Sequence, residues 1–469
     1  MTIAERIYSA STSEEASKAR LAETLARRIE DDIASSNILP GGVMGSLREL
    51  SERYSAGRAA AREAVALLER RGLGRLRPGP CGGFVVTRPQ CQTIGVELAN
   101  YFRMTGIDAA HLKDARESID LMVASRVASM RLPRERIERV VVAGSGLDWH
   151  LRLRAELARL TDEPVLELFV HCLNDLTADF ATEGSADEGE PADESRLALC
   201  KALAAGNADA AAQIVGALNA SLNGHLRQEG RSTPLPAIET GRQADDRTLS
   251  TLVARKLAAE IRENGKAGEL LGSEWDLCER YSVSRATFRQ AIRQLQDIGL
   301  IEGRRGRGNG LVIRKPRGTG SIRLMLAYLI GEKMDPLTAG TILFQLNRFV
   351  PALALSRADK RQRARLETLL DRVQRQDPID RCDLLKLVQC VSELADSPII
   401  DLFSRCLAAY EARFHPALME RLPAHVQAEY FSLLRTLLNR LDGEDALSLA
   451  DAKRLSSRVL VEMSRTRPL

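Results

Sequence analysis

A chain of 469 residues is too long for one ordinary domain and predicts three or four. Its 44% apolar and 28% charged content excludes a disordered chain, and 4% aromatics with abundant Ala, Leu and Arg favours helices over sheets. No apolar run reaches the length of a membrane span, and the first twenty residues lack a secretory pattern, so a cytoplasmic protein without membrane contact is expected. Eight scattered cysteines without a CxxC pair argue against structural zinc and against a disulfide framework. The net charge of +4 is unevenly placed: residues 21–90 hold 11 basic and 8 acidic side chains, and residues 248–316 hold 13 and 8. Basic charge gathered in two windows suggests polyanion binding.

Taken in chain order, the first window reads "LAETLARRIEDDIASSNI", "LPGGVMGSLRELSERYSAG", "RAAAREAVALLERRG" and "LGRLRPGPCGGFVV". This is helix, short helix, turn, helix and hairpin. Residues 95–228 follow as Leu/Ala-rich helical stretches, with the acidic "EGSADEGEPADES" (183–195) expected as a surface loop. A Pro/Gly-rich polar segment, 229–247, then separates the halves.

After it the grammar repeats. "TLVARKLAAEIRENG" (251–265) predicts a helix ending at Gly265, and Ser273 with Asp276 forms a capping box for a short helix. Ser284 caps a third helix, and "LIEGRRGRGNGLVI" predicts two strands around a Gly/Arg-rich turn. At a spacing of 227 residues, Leu50/Leu277, Arg53/Arg280, Tyr54/Tyr281, Ser55/Ser282, Arg58/Arg285, Arg62/Arg289, Leu68/Leu295 and Gly72/Gly299 coincide. The helical segments also match: "LTDEPVLELFVHCLNDLTADF" (160–180) pairs with "LADSPIIDLFSRCLAAYEARF" (394–414). The predicted fold is mainly α. Two winged helix-turn-helix domains (14–90 and 248–316) alternate with two all-helical bundles (95–228 and 320–465).

In a helix-turn-helix the third helix enters the major groove. Arg285 and Arg289, four residues apart, share one face and can fork onto guanine or clamp phosphate. Ser284 and Thr287 add hydroxyls, and Arg304, Arg305 and Arg307 arm the second wing. The first copy keeps Arg58 and Arg62 and adds Arg48, where the second has Trp275, but it loses the cap (Gly57) and the hydroxyl (Ala60). The second copy is expected to be the sharper reader, the first to supply positioning contacts.

The stretch from Leu39 to Leu73, with its Pro-Gly, Ser-x-Arg-Glu-Leu and Arg-x-x-x-Arg-Glu-Ala, resembles the DNA-binding signature of the gluconate-repressor (GntR) family. The helical segments resemble the effector domain of its fatty-acid-regulator (FadR-like) branch. That resemblance implies a transcriptional regulator, repression being the expected sense, which binds double-stranded DNA. It also implies a small carboxylate or acyl effector. Family members pair as dimers, so two units in one chain imply an intramolecular pseudo-dimer, with further pairing of chains left open. Arg116 resembles a ligand-facing arginine of such pockets, with His150, Ser195 and His225 beside it; its counterpart in the second copy lies near Asn347.

Many such domains hold a divalent metal with an Asp and three His. Here His150 and His225 take the first and third His positions, Ser195 the second, and Gly146 the Asp position, with Asp148 nearby. The second copy has no histidine in these places. Two histidines are too few for a hard divalent ion, so no metal or other cofactor is expected. No GxSxG, HExxH or phosphate loop argues for an enzyme, and "GRRGRGNG" stands in wing context. The rival readings are an interaction protein with degenerate DNA-binding domains and, last, a helical enzyme.

Overall fold

The computed structural model describes residues 14–441 apart from 36–37, 39, 71, 80–81, 88, 143, 145, 182–191, 227–245, 304–309, 315, 317, 378, 380 and 415–423. The first copy opens with α1 (Glu14–Ser35), which buries Leu25, Ala26, Ile29 and Ile33 at helical spacing. α2 (Leu47–Arg53) starts on a capping box: Ser46 Oγ accepts the Glu49 N–H, and the Glu49 carboxylate accepts the Ser46 N–H at 2.6 Å. Ser55 turns the chain in a left-handed conformation (φ 52°), and α3 (Arg58–Arg70) packs across α1. β1 (Gly74–Arg77) and β2 (Gly83–Val86) close an antiparallel wing with Gly74 opposite Val86.

Seven helices follow: α4 (Cys91–Thr105), α5 (Ala109–Met130), α6 (Arg134–Val140), α7 (Gly146–Leu160), α8 (Pro164–Asp179), α9 (Ala192–Ala204) and α10 (Ala208–Gly224). The expected acidic loop is shorter than its composition suggests. Part of it lies outside the described residues, and from Ala192 onward the chain is helical.

The second copy repeats the pattern with α11 (Asp246–Asn264), β3 (Leu270–Gly272), α12 (Glu274–Tyr281), α13 (Arg285–Asp297), β4 (Ile301–Gly303) and β5 (Leu311–Ile313), the sheet order being β3-β5-β4. Ser273 and Asp276 form the same capping box, and Ser282, like Ser55, is left-handed (φ 51°). The second bundle comprises α14 (Thr319–Gly331), α15 (Pro336–Asn347), α16 (Val350–Arg357), α17 (Lys360–Gln374), α18 (Arg381–Ala395), α19 (Pro398–Phe414) and α20 (Ala424–Leu441). Where the first copy runs one helix, α5, the second breaks between α15 and α16. Pro351 near the start of α16 has no N–H to return to Asn347, so the turn cannot continue. No helix among the described residues is long and apolar enough to cross a membrane.

The two bundles share one continuous apolar core. At its centre Phe169 of α8 stacks on Phe403 of α19, ring centroids 3.8 Å apart and planes 2° from parallel. These two residues occupy the same place in the repeat, so each copy meets its own counterpart there, as across a two-fold axis. Arg357 of the second bundle pairs with buried Asp114 of the first, and Tyr328 Oη reaches the Pro164 carbonyl at 3.5 Å.

The winged helices are exchanged. Met104 of α4 belongs to the core of the second winged helix, and Arg255 of α11 donates to Asn100 of α4. Ala327 of α14 belongs to the core of the first, and Arg413 of α19 pairs with Glu30 and Asp31 of α1. Each DNA-type domain therefore docks on the bundle of the other copy. A shared core should melt as one unit: Phe169→Ala and Phe403→Ala should each cost about 3–5 kcal/mol in denaturant unfolding. Their double-mutant cycle should show coupling of about 0.5–1.5 kcal/mol, whereas additive losses would mean the rings act independently.

Candidate nucleic-acid interface and ligand pocket

Amphipathic spacing decides what α13 offers to solvent. Phe288, Ala291, Ile292 and Leu295 turn inward, which leaves Arg285, Arg289 and Arg293 at i, i+4 and i+8 exposed on the opposite face. Arg293, not picked out from the sequence, extends the row. Arg289 is held by Glu274 of α12 at 2.6 Å, an exposed pair that fixes a geometry more than it adds stability. Ser284 caps the helix through the Thr287 N–H at 3.1 Å.

Thr287 departs from its expected role as a DNA contact. It is 3% exposed, and its hydroxyl lies 2.8 Å from that of Ser284, so it locks the cap rather than facing a groove. The reason is position: Thr287, Ala291 and Leu295 fall on one stripe, which is the buried one. Arg304, Arg305 and Arg307 lie outside the described residues. Trp275, at 59% exposure, is a large apolar side chain standing free on α12.

On α3 of the first copy, Arg58 and Arg62 are exposed, but Glu63 and Glu69 share that surface and Ala66 stands where the second copy has Arg293. Arg48 is exposed and paired with Glu52 at 2.9 Å. Arg75 and Arg77 of the first wing are exposed as well. The second recognition helix thus presents three arginines with glutamines, the first two arginines among carboxylates.

A second polar centre lies inside the first bundle. Arg116 of α5 is fully buried and donates through Nη2 to Asn223, while its Nε and Nη1 have no partner. Arg154 of α7, also buried, binds Asp120 at 3.0 and 2.8 Å and donates to Asn174, leaving Nη2 without a partner. His150, one turn before Arg154, is buried, with the His225 ring 6.2 Å from its own. Burial first, and then His225, Arg116 and Arg154, push the His150 pKa down to about 4; burial, aided by Arg154, lowers Arg116 to about 10. Ser195 is half-buried on α9.

Two guanidiniums with orphaned N–H groups around a neutral imidazole suit an anion. A divalent cation on His150 and His225 would face the charge of both arginines, so these residues do not fit the metal site found in similar domains. Asp120 and Arg154 were legible in outline: each stands four residues after a flagged residue, Arg116 or His150, on the same helix face. In the second bundle, Asn347, Pro351, Leu384 and Val388 occupy the places of Arg116, Asp120, His150 and Arg154.

These are two winged helix-turn-helix domains on a helical bundle pair, and comparison with known proteins agrees. Residues 21–85 and 249–311 each match the bacterial regulatory proteins of the gntR family. Over those two stretches the chain is similar to the GntR family, and the two relatives matched there are both described as transcriptional regulators. A 64-residue stretch (14% of the chain) is 39% identical to 26% of the probable transcriptional regulator PhnF of Escherichia coli. A 77-residue stretch (16%) is 38% identical to 30% of an uncharacterized HTH-type transcriptional regulator of Mycobacterium tuberculosis. The matched segments span less than a third of either relative. Among solved structures, Streptococcus agalactiae GntR aligns over 46% of this chain and 100% of its own at 17% identity, with a TM-score of 0.32.

The low His150 pKa carries a sign. The unfolded imidazole titrates near 6.5, so the unfolded chain binds the proton first as pH falls. Stability linked to this group is complete above about pH 6.5 and is lost between there and about pH 4. His150→Gln should flatten that part of the stability–pH curve in denaturant titrations; an unchanged slope would mean His150 is not held neutral.

Proposed function

We propose that the chain is a sequence-specific transcriptional regulator that grips one operator with both of its winged helices. The observation that carries this is the exposed arginine row Arg285, Arg289 and Arg293 on a capped helix of GntR type, set in a domain that occurs twice. Arg285 and Arg289 read bases in the major groove, and Ser284 shapes the helix start. Arg48, Arg58, Arg62, Arg75 and Arg77 give the first domain mainly backbone contacts. Because the copies differ, the two half-sites differ in sequence. Repression by occupancy of a promoter, in the cytoplasm, is the expected sense.

Electrophoretic shift on a duplex selected from random sequence tests it. Each removed base-reading arginine should cost about 1–3 kcal/mol and relax specificity in one half-site. Arg285→Ala with Arg289→Ala should therefore abolish specific binding while the fold persists. Arg58→Ala with Arg62→Ala should weaken binding less and lower the salt dependence of log K by about two. If the second-copy pair proves dispensable, the reading fails.

The effector in this reading is a small carboxylate or acyl ligand whose negative charge is held by Arg116 and Arg154 in the first bundle alone. The unpaired guanidinium nitrogens support it, and the missing charges at Asn347, Pro351 and Val388 support a single site per chain. Calorimetry with a panel of small carboxylates should give one equivalent per chain, with binding lost in Arg116→Gln. Two equivalents, or binding that survives this change, would rule out the pocket.

A further inference from the structure

One cluster of metal-binding side chains lies apart from both the recognition helices and the arginine pocket. Cys91 is the first residue of α4; Glu167 and His171 stand one turn apart on α8. The Cys91 Sγ, a His171 ring nitrogen and a Glu167 carboxylate oxygen all lie within 4.8 Å of one another. Ligands around a tetrahedral zinc, at bond lengths of about 2.0–2.3 Å, are separated by roughly 3.3–3.8 Å, so small side-chain rotations would close the site.

The helices are built to bring these groups together. Gly95, one turn beyond Cys91, faces α8: a Cβ there would lie 3.0 Å from the His171 Cβ and 3.2 Å from the Cys172 nitrogen. Its absence lets α4 and α8 approach closely. His171 Nε2 is buried without a hydrogen-bond partner, and Glu167 at 3.7 Å is an ion-pair neighbour beyond hydrogen-bonding reach. Tyr328 of the second bundle lies beside the Cys91 thiol and supplies an outer contact. A cleft of about 430 Å³, lined among others by Glu167, Tyr328 and Glu332, lies between the halves and reaches one of the three residues, Glu167.

From this geometry we infer that Cys91, Glu167 and His171 form a binding site for zinc or a divalent ion of the same borderline class. Thiolate, imidazole and carboxylate together select such an ion over magnesium or calcium, which take oxygen alone. Three protein ligands leave a fourth position for water. The ion would pin the start of α4, where the chain leaves the first winged helix, to the shared core. Neither cysteine spacing nor the placing of the histidines pointed here, because the ligands come together only when α4 packs on α8. The inference does not depend on DNA binding or on the anion pocket.

Cobalt(II) titration of the full chain is the test. It should show one equivalent per chain, with a thiolate-to-cobalt charge-transfer band in the near ultraviolet that zinc abolishes. Cys91→Ser should remove the band, Cys390→Ser should keep it, and His171→Gln should weaken zinc at least about tenfold in competition with a chelating dye. Absence of the band, or its survival in Cys91→Ser, would overturn the site. Should Cys91→Ser not fold, an unchanged zinc affinity in His171→Gln would overturn it equally.

Discussion

The stacked rings of Phe169 and Phe403 mark the place on which the rest of the molecule depends. Around them two helical bundles bury a common core, so neither half closes its apolar surface alone. That core supplies what separate chains achieve by pairing, with the entropic cost of bringing two partners together already met by the covalent link. The exchange of winged helices follows the same logic. With Met104 in one DNA-type core and Ala327 in the other, each reading head is tied to both copies.

Fusion also releases the copies from being identical. A dimer of equal chains must carry every substitution twice; here Arg293 corresponds to Ala66, Gln290 to Glu63 and Trp275 to Arg48 in the repeat. The bundles have diverged further. The first keeps buried Arg116, Asp120 and Arg154, while the second fills those places with Asn347, Pro351 and Val388 and breaks a helix at the proline. One half then holds a buried polar cluster where the other is apolar or neutral.

Much of this was legible in the sequence because it is local. The capping box at Ser273, the cap at Ser284 and the outward Arg285 and Arg289 each follow from a few neighbouring residues. Thr287 is legible too: Ala291 and Leu295 stand four and eight residues on, which places its hydroxyl on the inward stripe. The exchange of domains and the Cys91–His171 approach were not. They arise from contacts between segments far apart in the chain, and no periodicity within one helix records which other helix will cover it.

The central claim is that one chain does the work of two subunits on DNA. Native mass spectrometry of the complex with a duplex selected by the protein measures this directly. The account predicts one chain per duplex, with both winged-helix segments protected from deuterium exchange in the same complex. Two chains per duplex, each protected in only one winged helix, would contradict it.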